Sequence, residues 1–193
     1  MDWQAYIREN LTASADVKKK TIAACSHDII KATSLLCHTL EQGGKILFAG
    51  NGGSAADAQH LAAELVIRLS HEIKRPGLPA MALNANTSIL TAGGNDIGFE
   101  NVFARQVEAF GTPKDALVVI STSGNSINLI RALEQSNMKQ ITSVGLLGGS
   151  GGRCKTLVTV PIIVPSENVQ RIQETHITLG HIILELIETK LYT

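Results

Sequence analysis

The strongest constraint on this chain is an apolar run that ends on glycine. Lys45-Ile46-Leu47-Phe48-Ala49-Gly50 passes directly into Asn51-Gly52-Gly53-Ser54 and then into an Ala-rich stretch over residues 55–69. An apolar run without polar alternation reads as a strand buried on both faces, and such strands belong to parallel sheets. Pro79-Ala80-Met81-Ala82-Leu83, Leu117-Val118-Val119-Ile120, Ser143-Val144-Gly145-Leu146-Leu147 and residues 157–164 read the same way. Pro161 puts the last of these at a sheet edge or beside it, because proline cannot donate to a ladder. Helical patterns fill the gaps near residues 87–91, 99–110 and 126–135, and a helix over 169–190 closes the chain. Strands that alternate with helices form right-handed βαβ units. The expected fold is therefore α/β, a three-layer αβα sandwich around a five-stranded parallel sheet.

Residues 2–40 contain neither Gly nor Pro, and Ile22, Ile29, Ile30, Leu36 and Leu40 recur at helical spacing. One or two long helices are expected there, stopped by Gly43-Gly44. With 193 residues and no linker or repeat, one domain is expected over 1–193, a helical segment over 1–42 followed by the core over 43–193. Aromatic residues make up 4% of the chain, so the core must be aliphatic. The apolar positions of the first segment exceed what one sheet face needs. They point to assembly through a helical contact between protomers.

Lys plus Arg equals Asp plus Glu at 17 each, so no net charge draws the chain toward nucleic acid or an anionic membrane. Cys25, Cys37 and Cys154 are odd in number and lie far apart, which excludes a disulfide framework and a zinc finger. Reduced thiols, a start without a signal pattern and no membrane-length apolar run give a cytoplasmic expectation.

In parallel sheets ligands sit beyond the carboxyl ends of the strands. Two polar turns fall there, residues 50–54 and 121–126. In the first, Gly52 and Gly53 let the backbone approach an anion, and Ser54 stands where an N-cap is expected. The second, Ser121-Thr122-Ser123-Gly124-Asn125-Ser126, holds four hydroxyls, more than capping requires. Neither turn is a GxGxxG fingerprint or a P-loop, so no nucleotide cofactor is expected. His60 and Glu64 follow the first turn at helical i,i+4 spacing, where imidazole and carboxylate can share a proton or a metal, or form an ordinary surface pair. Arg68 is one further turn along on a similar face. The last helix carries Arg171-Ile172-Gln173-Glu174-Thr175-His176 and then His181. From their neighbours, His181 reads as core-facing between Leu179 and Ile182, and His176 as a surface residue.

Gly50-Asn51-Gly52-Gly53-Ser54-Ala55-Ala56-Asp57-Ala58-Gln59-His60, followed by Ser121 to Ser126, resembles the sugar isomerase (SIS) domain family. Within it the pattern is similar to the phosphoheptose isomerases, over essentially the whole chain. The resemblance implies a flavodoxin-like SIS fold. It implies conversion of sedoheptulose 7-phosphate to a heptose 7-phosphate for surface polysaccharide, through an enediol. It further implies that Glu64 and His181 are the acid/base pair, and that His60, Glu64, Gln173 and His181 hold one zinc per subunit. Phosphate falls to Ser54, Ser121, Thr122, Ser123 and Ser126 with the backbone of Gly52 and Gly53. Arg68 approaches the same group. Sugar hydroxyls fall to Asn51, Asn95, Asp96 and Gln173. Gln170 stands where some members carry Asp, which bears on sugar preference.

Gln173 and His181 are eight residues apart, hence about 12 Å along an ideal helix and about 80° apart around it. Either that helix is distorted, or the two serve different sites across a subunit boundary. The family's tetramers, with sites at subunit interfaces, favour the second. The same serine turns also occur in non-enzymatic SIS proteins that bind sugar phosphates or associate with a replication initiator. The set His60, Glu64, Gln173 and His181 favours the enzyme.

Overall fold

The computed structural model describes Met1–Thr193. The elements are α1 (Trp3–Glu41), β1 (Ile46–Gly50), α2 (Gly53–Val66), β2 (Ala80–Ala82), α3 (Thr87–Asp96), α4 (Val102–Phe110), β3 (Ala116–Ser121), α5 (Ile127–Met138), β4 (Thr142–Gly148), β5 (Val160–Val164) and α6 (Val169–Tyr192). Short 3-10 turns lie at Phe99–Asn101 and Arg153–Thr156. The five strands run parallel in the order β2-β1-β3-β4-β5. The expected α/β fold with helices on both faces of a five-stranded parallel sheet is what the chain forms.

Alternation along each strand divides the core. Ile46, Phe48, Ala116, Val118, Ile120, Val144 and Leu146 pack with residues of α1, α2 and α6. Leu47, Ala49, Leu117, Val119 and Leu147 face the other way, toward α4 and α5. Both faces exclude water, so every residue of β1 and β3 is buried. Each such Leu or Ile stabilises the fold by about 1.5–3 kcal/mol. Pro161 sits in the edge strand β5, opposite Gly145, where a missing N–H is tolerated.

The opening segment is one helix of 39 residues. Asp2 starts it by accepting from the N–H groups of Gln4 and Ala5 at 2.9 and 3.2 Å. Its buried positions begin at Val17, and from there it packs on β5 and α6. Trp3, Tyr6, Ile7, Leu11, Ile22 and Ile30 stay exposed. Gly93 and Gly94 lie inside α3. Asn86 caps α3 by accepting from Ile89 N at 3.1 Å, and the helix runs on to Asp96.

The surface reading of His176 is overturned. Its side chain is fully buried, and Nε2 lies 3.0 Å from the carbonyl oxygen of Leu147. Because a carbonyl only accepts, Nε2 carries the proton and Nδ1 is a bare acceptor without a partner. Burial pushes the imidazole down from 6.5 to about 4, against the smaller opposing pull of the Leu147 carbonyl. Below pH 6.5 the unfolded chain binds a proton that the folded chain refuses until about pH 4. Stability is therefore complete above that window and is lost as pH falls through it, by about 3 kcal/mol in all. Urea titrations of His176→Gln, which keeps a donor for Leu147, are expected to fall less steeply between pH 6.5 and 4.5 than those of the parent. Identical slopes would show that this imidazole does not carry the dependence.

Candidate active site

The site grows from two neighbouring strand ends. Gly50 closes β1 beside Ile120, the penultimate residue of β3. Gly52 then takes φ 57°, ψ −123°, a backbone that side chains disfavour, and α2 starts at Gly53. Ser54 is consequently the second helical residue and not the N-cap. The N-cap is Gly52, which has no side chain to offer. On the second turn Ser126 does occupy the N-cap position of α5, yet its hydroxyl makes no capping bond. Asp2, Asn86 and Asn168 cap α1, α3 and α6 with their own side chains. At the β1 and β3 ends, by contrast, two helix N-termini present amide donors and positive dipole ends with no side-chain cap.

Hydroxyls surround those ends. Ser54 is buried at the start of α2. Ser121 Oγ accepts from Gly124 N at 3.1 Å and Ser123 Oγ from Asn125 N at 3.2 Å, so each retains its proton for a ligand. The turn is braced from behind by Cys154 N, which donates to Gly124 O at 2.9 Å, and by Arg153 N, which donates to Asn125 Oδ1 at 3.0 Å. Asn51 exchanges two amide hydrogen bonds with Asn128, at 3.0 and 2.8 Å. Asn128 was missed at the sequence level, although its place two residues after Ser126 puts it in the first turn of α5. This pair stitches one loop to the other.

A second cluster forms where α2 meets α6. His60 Nε2 lies 2.8 Å from His181 Nε2 and 3.5 Å from Glu64 Oε1. The imidazoles meet edge to face at 75°. Gly180 permits this approach, because a Cβ there would lie 2.6 Å from a Leu61 methyl. One ligand atom from each of His60, Glu64 and His181 falls within 4.8 Å of the others. Zinc holds imidazole nitrogen and carboxylate oxygen at about 2 Å, so its tetrahedral ligands sit about 3.4 Å apart. The donor set and spacing fit that ion and leave a fourth position open. Asp57, one turn before His60, has its carboxyl pushed up by burial, while His60 and His181 pull it down.

Other expected site residues lie elsewhere in the same chain. Gln173 rests against Gly53, where a Cβ would come 2.8 Å from its Nε2, and α6 is continuous from Val169 to Tyr192. The distorted-helix alternative is thereby removed. Gln173 therefore stands at the start of α2, about 12 Å along α6 from His181. Arg68 is not on the face of Glu64, because α2 stops at Val66 and Arg68 is exposed beyond it. Asn95 donates to Asp96 Oδ1 at 2.6 Å, both exposed, in the last turn of α3. Asp96 is nine residues past Thr87, hence about 13 Å along the axis from the strand-end side. Thr122 is half-buried within the second turn, and Gln170 is exposed at the start of α6.

A family model described as the SIS domain matches residues 10–148. The phosphoheptose isomerase of Chlorobaculum tepidum is 46% identical over 187 residues, covering 96% of this chain and 90% of that protein. The solved phosphoheptose isomerase of Francisella tularensis superposes with a TM-score of 0.93 at 36% identity, covering 98% of this chain and all (100%) of that one. The one from Neisseria gonorrhoeae gives 0.89 at 38% identity, over 96% and 98%. The two strand-end turns, the His60–Glu64–His181 cluster and these full-length matches lead to one conclusion: the chain belongs to the SIS domain family and, within it, to the phosphoheptose isomerases.

Proposed function

We propose that this chain interconverts D-sedoheptulose 7-phosphate and D-glycero-D-manno-heptose 7-phosphate through an enediol, the entry to activated heptose for surface polysaccharide. It is an aldose–ketose isomerase. The observation that carries the mechanism is the meeting of His60, Glu64 and His181 at one point of the α2–α6 contact. Full-length relatives named for this enzyme leave the non-catalytic SIS reading unfavoured.

The phosphate is assigned to the uncapped starts of α2 and α5, with Ser54, Ser121, Ser123 and Ser126 donating and Thr122 assisting. Asn51, held by Asn128, orients a hydroxyl. His60 lies seven residues beyond Gly53, about 10 Å along the axis of α2. A seven-carbon chain with phosphate at one end can bridge that separation to its reacting carbons. Glu64 takes the proton from C1 of the ketose and returns it to C2, which moves the carbonyl to C1. His181 exchanges protons with the two oxygens, and the same imidazole can assist ring opening. Half-burial of Glu64 keeps water from competing with the substrate for the carboxylate. Zinc, one per subunit on His60, Glu64 and His181, would supply positive charge that polarises the carbonyl.

The remaining residues call for a second subunit. Arg68, Asn95, Asp96 and Gln173 lie away from the His60–Glu64–His181 cluster of their own chain, which supports sites shared between protomers. The exposed apolar face of α1, with Ile22 67% and Ile30 61% accessible, supports assembly as a tetramer. Three free, buried cysteines suit a reducing cytoplasm, and the whole chain acts as one SIS unit.

Two outcomes are expected. Glu64→Gln keeps the fold and phosphate affinity but lowers kcat by at least about 100-fold, the scale of general-base catalysis. Sedoheptulose 7-phosphate turned over by this variant at the parental rate would remove Glu64 from the base role. Sedimentation should give a tetramer at micromolar concentration, and Ile22→Asp combined with Ile30→Asp should weaken it. A parental chain that sediments as a monomer would refute the shared site.

A further inference from the structure

Residues 67–79, which join α2 to β2, form neither helix nor strand, yet a side chain from this connection is among the most buried polar groups in the protein. Arg75 and Glu188 have side chains 1% and 2% exposed, and Arg75 Nε donates to Glu188 Oε1 at 2.6 Å. The guanidinium also donates through Nη2 to the carbonyl of Glu64 at 2.7 Å, and through Nη1 to those of Leu65 and Pro76 at 2.8 and 2.9 Å. Glu188 Oε1 additionally faces Leu69 N at 3.4 Å. A buried ion pair is seldom a net gain in stability over apolar residues of similar shape. This one does something more specific. It fills the carbonyl end of α2 at the turn that carries Glu64, and it anchors that turn to α6.

Glu188 is seven residues after His181, two turns less about 20°, and so on the same face of α6. The cation thus fixes the backbone of Glu64 against the helix face that presents His181. Its charge at a helix C-terminus is favourable as well. We infer that Arg75 and Glu188 are positioning residues for the isomerisation, setting Glu64 at its working distance from His181. The inference rests on the reading of Glu64 as the base. A misplacement of about 1 Å at a reacting group can lower a rate about 100-fold.

The test replaces both partners at once, Arg75→Met with Glu188→Leu, so that neither charge is left buried and alone. The double variant should fold, with a melting temperature lowered by the carbonyls of Glu64, Leu65 and Pro76 that lose their donor. Its kcat should fall at least about tenfold, while KM for the sugar phosphate stays within about threefold, because the phosphate turns lie at the other end of α2. Arg75→Lys keeps the charge opposite Glu188 but loses the fork that reaches the carbonyls of Glu64, Leu65 and Pro76. It should show a smaller loss of kcat, again with KM held, and it decides the matter alone if the double variant does not fold. A parental kcat in the variant that folds, or a rise in KM that accounts for the whole loss of kcat/KM, overturns the inference. Glu64→Gln, assayed alongside, separates the two claims. An active Glu64→Gln removes the base, whereas an inactive Glu64→Gln beside a fully active double variant removes only the clamp.

Discussion

The meeting of His60, Glu64 and His181 depends on how closely α6 is allowed to approach α2. Both helices follow parallel strands on the same face of the sheet, so they run in the same direction and meet in register. Gly53 touches Gln173, His60 touches His181 and Leu61 lies over Gly180. The offset between partners stays near 120 residues along the contact, which only parallel helices can sustain. A side chain at position 180 would strike Leu61 and force the helices apart. Two imidazoles 2.8 Å apart could not survive that shift. The fold therefore reaches its chemistry through close packing of apolar residues, with the polar groups carried along at fixed spacing.

The same two helices separate the work of the site along their length. At the start of α2 the donors are backbone amides and hydroxyls, neutral groups that suit a phosphate which must also leave. Within the last two turns come the ionisable groups, on a helix stripe between buried Ala58, Leu61, Ala62 and Leu65. Under the proposed assignment, phosphate binding falls at the start of α2 and the His60–Glu64–His181 cluster begins about 10 Å further along the same helix.

Most of the fold is legible in the residues. Strands buried on both faces leave unalternating apolar runs, and the strand-end turns advertise themselves by Gly and Ser. What was misread depends on partners distant in sequence or on single dihedral angles. Ser54 loses the cap position because Gly52 adopts a left-handed backbone. Arg68 leaves the face of Glu64 because α2 ends at Val66, where Arg75 takes its last carbonyls across a stretch with no periodicity. His176 could have been read correctly. It lies in the buried series Ile172, His176, Leu179, Ile183 and Ile187, whose spacing marks the core face of α6.

The length of α1 finds its reason in the same geometry. Only its part from Val17 onward covers the sheet, although the helix begins at Trp3. The earlier turns are tied to α6 as well, since Arg171 Nη1 donates to both the backbone and the side-chain oxygen of Asn10, at 3.0 and 2.9 Å. That contact lies two residues before Gln173, on the helix that carries His181. Burying more of α1 against a second protomer would therefore load α6 directly, near the start of its contact with α2. Under the proposed shared site, Arg171 ties the opening turns of α1 to the helix that carries His181.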